Sequence, residues 1–328
     1  MYVIFVQTAA PNILKVSVII PLYNQRPFVG KAIDTALDQN ETGEVIVVDD
    51  GSTDGGGDFV RQLSRNRSEI RVLSHPGNAR KGVSASRNLA MDSARFPFLA
   101  FLDADDYMLQ NRFARAYALF TRFPEAGAVA EALGYEDASK GVTMLTRIPE
   151  KGEMFFAMEP FGKSGHFSVC ALTVRKEACE KTGFFDEELR IGEDTHWLAR
   201  LTLTSEVVCG DLTRPVAIRR LHDSNTSLDQ ELAHRHKPLM ALKLIRWSAV
   251  NQKGAEVREC LVKLFLKYHF ESTHLFGQRA RLNKKTRDLR AIFRLLAADS
   301  GVRHSKRFRY FVKTVFHWPI RDHLNYYK

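Results

Sequence analysis

From Val16 onward, short apolar runs alternate with stretches of helical period. "VSVIIPL", "EVIVVDD", "IRVLS" and "FPFLAFLDADD" read as strands, and between them "PFVGKAIDTALDQ", "TDGGGDFVRQLSR" and "SASRNLAMDSA" read as helices. In the first helix Phe28, Ala32, Ile33, Ala36 and Leu37 share a face at the 3.6-residue period. Strands alternating with helices predict an α/β fold with a mostly parallel sheet flanked by helices. "VIVVDD" and "FLAFLDADD" are apolar without alternation, as strands covered on both faces should be, and each ends in acid. After residue 125 the pattern loosens, with strands expected at 126–133 and 167–174 and a helix near 194–203. From residue 230 helix patterns dominate, including "ECLVKLFLKYHF" and "LRAIFRLLAAD", and no internal repeat or low-complexity segment interrupts them.

Charge sharpens this division. The net charge of +10 hides 26 Lys and Arg against 31 Asp and Glu in residues 1–229, and 22 against 7 in residues 230–328. A boundary near residue 230 is expected, separating an acidic α/β domain (1–229) from a basic helical C-terminal domain (230–328). No apolar stretch approaches the roughly 20 residues that cross a bilayer, and "MYVIFVQTAAPNILK" has an apolar run with no basic region before it. A cytoplasmic location is the expectation. Cys170, Cys179, Cys209 and Cys260 show no C-x-x-C pair and read as free thiols.

The candidate chemistry lies where the apolar runs stop. "FLAFLDADDYM" (98–108) ends in Asp103, Asp105 and Asp106, which repel one another unless a cation or hydrogen-bond donors keep them ionised. Ligands of open parallel sheets bind beyond the carboxyl ends of the strands, so Asp49, Asp50, Asp103 and Asp105 are expected to converge on one crevice. The first strand-to-helix turn, "PLYNQRP", lacks G-x-G-x-x-G, and no G-x-x-x-x-G-K-[ST] occurs, which disfavours a dinucleotide dehydrogenase and a P-loop NTPase. A diphosphate facing acid needs a bridging divalent metal, magnesium or manganese.

Taken in order, "VSVIIPLYNQ", "VIVVDDGSTD", "GVSASRNLA", "FLAFLDADDYM" and "GFFDEELRIGEDTHWLARL" resemble the family 2 glycosyltransferases of GT-A fold over roughly residues 15–227. The resemblance implies an inverting transferase that moves a sugar from a nucleotide-diphospho-sugar donor of UDP type to a saccharide or lipid-linked acceptor in surface-glycan biosynthesis. It assigns a Mn2+ or Mg2+ ligand to Asp105 and a ribose or metal-bound-water contact to Asp103. It assigns the nucleotide base to Pro21, Tyr23 and Asp50, with Asp49 as second choice, and gives Arg87, ahead of Arg80 and Lys81, an approach to the base or phosphates. Asp194 becomes the catalytic base, Glu193 a residue that positions sugar or acceptor, and His222 a second metal ligand. His196 is expected to face the acceptor groove or solvent, and Asp106 to cap the following helix.

Rival readings attach to the same residues. "DDGSTD" also reads as a strand-to-helix turn, with Gly51 at an awkward backbone angle and Ser52, Thr53 or Asp54 capping the next helix. Asp-x-Asp after an apolar strand also occurs in phosphatases of the haloacid dehalogenase type, although there Thr or Val usually stands where this chain has Tyr107. A non-catalytic nucleotide-sugar-binding or membrane-surface scaffold is the rival of another class. The basic tail, with Trp247, Phe265, Tyr268, Phe270, Phe308, Tyr310, Phe311, Phe316 and Trp318, reads either as a packed helical domain or as helices for peripheral association with the anionic inner face of a membrane. Nucleic acid is not an expected partner, since no reader motif is present and acid would repel phosphate.

Overall fold

A computed structural model describes residues 14–137, 141–145, 155, 168–222 and 229–275. Its centre is the parallel set β1 (Val16–Leu22), β2 (Thr42–Asp49), β3 (Ile70–Ser74) and β4 (Phe98–Phe101). With β6 (Ala128–Ala130), β9 (Leu172–Arg175) and β10 (Val207–Cys209) these make a seven-stranded sheet of order β10-β6-β9-β4-β1-β2-β3, in which only β9 runs antiparallel to its neighbours. A second sheet, of order β5-β11-β7-β8, is built from β5 (Tyr107–Met108), β7 (Ala132–Asp137), β8 (Gly141–Leu145) and β11 (Pro215–Leu221).

Helices α1 (Arg26–Leu37), α2 (Gly56–Ser64) and α3 (Val83–Ser93) connect the parallel strands, as the alternating pattern predicts. They are followed by α4 (Ala114–Arg122), α5 (Lys176–Thr182) and α6 (Glu193–Thr204). Val18, Ile19, Ile20 and Val45 to Val48 are fully buried, which fits strands with no alternation. Each such side chain contributes about 1.5–3 kcal/mol of burial.

Three departures from the pattern have physical causes. The run 126–133 is split between the two sheets at Glu131, whose carboxylate pairs at 3.0 Å with the Arg112 guanidinium. Both side chains are wholly buried, and a strand cannot run straight through a charge that must meet its partner. Helix α2 begins at Gly56 rather than near Thr53, because Gly55 turns at φ +80° and Asp54 accepts hydrogen bonds from Gly56 N and from Arg26 N at the start of α1. In α1 the core position belongs to Val29 and not to Phe28, which is half-buried elsewhere. The strand expected at 167–174 is β9, entered through a 3-10 turn at Val169–Ala171, and residue 167 lies outside the described residues.

The chain divides into two compact units, Met1–Met240 and Ala241–Lys328. Helix α7 (Gln230–Val250) carries Pro238 in its interior, and α8 (Ala255–Leu275) follows. In the second unit Phe265 and Tyr268 are buried and Trp247 is half-buried. "LRAIFRLLAAD", the Phe270 side chain and the aromatics from Phe308 to Trp318 lie outside the described residues. Among the described residues no helix is long and apolar enough to cross a membrane.

Gly57, in the first turn of α2, packs so closely on Asp49 that a Cβ would overlap the carboxylate. Gly57→Ala is expected to destabilise the first unit by about 1–3 kcal/mol, read as a lower urea midpoint at unchanged m-value.

Candidate active site

Register fixes where the acids go. β1 lies between β2 and β4 and pairs in parallel with both, Leu22 opposite Asp49 and Ile19 opposite Phe101. Asp50 N and Leu102 N still donate to β1 carbonyls at 2.8 and 3.0 Å, so both acidic turns leave the same carboxyl edge. Strand spacing sets them about 10 Å apart, two strands across. Asp50 and the D-x-D turn are therefore neighbours on one rim, as the strand-end argument requires.

On the β2 side the two adjacent aspartates have different surroundings. Asp49 is fully buried: one oxygen accepts from Ser52 N at 2.9 Å and the other pairs with Arg61 of α2 at 3.2 Å. Both of its carboxylate oxygens are thus engaged within the fold. Asp50 accepts from Lys81 N at 2.6 Å and Gly82 N at 2.8 Å, and His75 Nε2 stands 3.7 Å away. Those donors hold the carboxylate in place and leave lone pairs for a ligand N–H. Tyr23 is half-buried beside β1, with the Arg80 guanidinium 3.8 Å from its ring centroid, and Pro21 is partly exposed on the same strand end. Gly51 sits at φ +78°, where a Cβ would lie 2.8 Å from Asn78 O, so the turn needs glycine as its sequence suggests. Asn24, at φ 53°, accepts from Thr53 N and stitches the β1–α1 turn to this loop.

On the β4 side the three carboxylates are held differently. Asp103 is about a third exposed and pairs with Arg87 at 2.8 Å. Asp105 Oδ2 lies 2.9 Å from His222 Nε2, and burial together with the charge of Asp103 raises its carboxyl above the usual range. Asp106 is buried, accepts from Arg220 N at 3.0 Å, and leaves its second oxygen without a hydrogen-bond partner. Burial, then Asp103 and Asp105, push it well up. Asp106 therefore fastens the D-x-D turn to β11 and does not cap a helix as expected. The His222 imidazole stacks on Phe28 at 5.6 Å with 8° between the rings, and Arg220 lies over Phe28 and donates to Asp105 O at 2.9 Å.

The third part is the start of α6. Gly192, at φ +81°, turns the chain so that Glu193 and Asp194 open the helix. Asp194 is half-buried and accepts from Thr195 N. Glu193 pairs with Arg87 at 3.2 Å, yet burial, reinforced by the adjacent Asp194, outweighs that pairing and pushes its carboxyl up to about 7. The preceding "GFFDEEL" loop is anchored by Asn88 of α3, which bonds Phe185 N and Phe185 O at 2.8 and 3.0 Å. Phe185 stacks on Trp197 at 4.8 Å. His196 is buried, contrary to the expected groove or solvent position, since it lies on the helix face that carries Trp197 and Ala199 inward.

Sequence reading missed Phe28, Arg219 and Arg220. Arg220 shares the period-2 face of His222 and could have been found that way. Burial works against the Arg219 charge, and the nearby Asp103 and Asp106 more than offset it. Phe28 gave only a core signal, and its contact with His222 spans the chain from α1 to the residue just after β11.

Comparison with known proteins bears on this geometry. The family model described as glycosyl transferase family 2 matches residues 17–183. The chain belongs to this family. Among curated relatives, EpsJ of Bacillus subtilis, an uncharacterized glycosyltransferase, is 30% identical over 55% of this chain and 54% of its own. GgaA of the same organism, a minor teichoic acid biosynthesis protein, is 28% identical over 57% of this chain and 43% of its own. The chain thus spans about half the length of the curated relatives it matches. S. aureus TarS 1-349 in complex with UDP-GlcNAc superposes with a TM-score of 0.62 at 20% identity, covering 87% of this chain and 81% of that one. A mannosyltransferase from Pyrobaculum calidifontis in complex with GDP-Man and Mn2+ gives 0.51 at 17% identity, over 93% and 88%. These likenesses establish the GT-A fold of the family 2 enzymes.

The raised Glu193 carboxyl carries a pH signature. The folded state binds this proton more tightly than the unfolded chain, whose reference value is 4.5, so its contribution is fully present below about 4.5 and is lost as pH rises through about 7. Urea unfolding of wild type against Glu193→Gln should show the wild type losing roughly 1–3 kcal/mol relative to the variant across that window, and a flat difference would remove the shift.

Proposed function

We propose that this chain is a metal-dependent, inverting glycosyltransferase that moves a sugar from a UDP-type donor to a saccharide or lipid-linked acceptor in surface-glycan assembly. The observation that carries the reading is the Asp105–His222 pair, one carboxylate oxygen and one imidazole nitrogen 2.9 Å apart, on the rim that also holds Asp50. Two adjacent ligands of an octahedral ion with bonds near 2.1 Å are separated by about 3 Å, so this donor pair fits a divalent cation. Magnesium and manganese both suit an oxygen-plus-imidazole set. The ion, when bound, supplies positive charge to the departing diphosphate.

The chain's own residues divide the remaining work. Asp50, kept in place by Lys81 N and Gly82 N, accepts the base N–H, with Pro21 and Tyr23 lining the slot. Asp103 would meet the ribose, or a water on the ion when one is bound. Asp194 takes the acceptor hydroxyl proton as the new glycosidic bond forms, while the old bond's electron pair leaves with the diphosphate. One in-line displacement of this kind inverts the anomeric carbon and requires no enzyme nucleophile. The UDP-type donor is supported by the ligands named for TarS, and surface-glycan assembly by the teichoic acid relative.

Residues 1–229 would form the catalytic part. For residues 230–328, the excess of 22 basic over 7 acidic side chains supports peripheral association at the cytoplasmic face of a membrane, near a lipid-linked acceptor. The buried Phe265 and Tyr268 belong to packing, so that attraction rests on charge.

Asp194→Asn should cut UDP release from a UDP-sugar, UDP-GlcNAc being the first to try, by about 10²–10⁴-fold while manganese-dependent UDP binding by calorimetry stays within threefold. An unchanged rate would remove the base. A protein that binds UDP-sugar with no turnover in wild type would favour the scaffold reading. In thermal-shift assays UDP should raise the melting temperature with manganese present, and Asp105→Asn should abolish most of that shift.

A further inference from the structure

Arg87 lies in the middle of the site, yet its geometry is unlike that of a ligand-binding arginine. Its side chain is 4% exposed. Nη2 donates to Asp103 at 2.8 Å and Nη1 to Glu193 at 3.2 Å, while Nε is buried with no partner and the guanidinium stands 5.3 Å from the Phe185 ring. A nucleotide phosphate reaching this group would have to displace one of two protein carboxylates. The two partners are also the two halves of the reaction: Asp103 belongs to the turn that carries the metal ligand Asp105, and Glu193 precedes the proposed base Asp194. The next residue of α3, Asn88, holds Phe185 at the other end of the same loop. Two consecutive residues of one buried helix thus grip residues 185–193 at both ends.

We infer that Arg87 is a positioning residue that sets the distance and angle between the donor-side D-x-D turn and the acceptor-side E-D pair, and that it does not touch the nucleotide. Its planar fork suits this, because two N–H groups in fixed relation hold two carboxylates in fixed relation, which a lysine cannot do. A misplacement of about 1 Å between reacting groups can lower turnover by roughly 10²-fold without loss of binding. The inference rests on the transferase reading for its kinetic test only.

Arg87→Lys and Arg87→Gln are compared with wild type in UDP release and in calorimetric binding of UDP with manganese. The expected result is a fall in kcat of about 100-fold for Arg87→Gln and at least 10-fold for Arg87→Lys, with UDP affinity within threefold. The Arg87→Gln/Glu193→Gln double variant should lose no more than about threefold beyond the worse single one, because both remove the same bridge. UDP affinity weakened tenfold or more, wild-type kcat in both variants, or fully additive losses would overturn it. Should Arg87→Gln not fold, Arg87→Lys alone decides by the same split. If wild type neither binds UDP with manganese nor turns over UDP-sugars, the transferase reading falls instead, and hydrogen exchange decides the clamp: amides of residues 193–196 should exchange at least tenfold faster in Arg87→Lys, with β1 and β2 unchanged, and equal protection would overturn it.

Discussion

Mutual repulsion of carboxylates is the constraint around which this site is built. Asp103, Asp105, Asp106, Glu193 and Asp194 lie on connected segments, and the described cations facing them are Arg87, Arg219 and Arg220. Three guanidinium groups do not balance five carboxylates. The imbalance is visible in the raised carboxyls of Asp105, Asp106 and Glu193, each lifted first by burial and then by a neighbouring acid. Burial and mutual repulsion favour the protonated form of such a surplus, and a divalent cation held by Asp105 and His222, as proposed, would favour the ionised form.

The rest of the first unit serves to hold those acids at one edge. Parallel register of β1 with β2 and β4 gives Asp50 and Asp103 a common rim, and buried strands make that register unslippable. Asp49 and Asp106, each beside a proposed ligand residue, are instead used as ties, one to α2 and one to β11. The same acidic motif therefore contains both chemistry and its mount. Helix α3 joins the parts, since Asn88 and Arg87 reach across to the loop and helix that begin with "GFFDEEL".

How far this could be read from the chain depends on sequence separation. Strand-helix alternation and the acids at strand ends are local signals, so the parallel sheet and the common carboxyl edge of Asp50 and the D-x-D turn were legible from "EVIVVDD" and "FPFLAFLDADD". The Asp49 role was not, because Asp49 and Asp50 are identical in composition and differ only in which side of the strand end each faces. Arg87 looked like a phosphate ligand or a solvated charge, and its partners lie 16 and 106 residues away. Phe28 obeyed the helical period yet left the core for a ring 194 positions later, a contact no periodicity encodes. The break at Glu131 depended on a buried partner at Arg112.

The most direct test is a crystal of the protein grown with UDP and manganese, with anomalous diffraction recorded at the manganese edge. A single strong peak within about 2.4 Å of Asp105 and His222, sharing oxygens with the diphosphate, is the predicted result. UDP bound in the crevice with no ion at those residues, or manganese elsewhere while the acids stand empty beside the phosphates, would contradict the account.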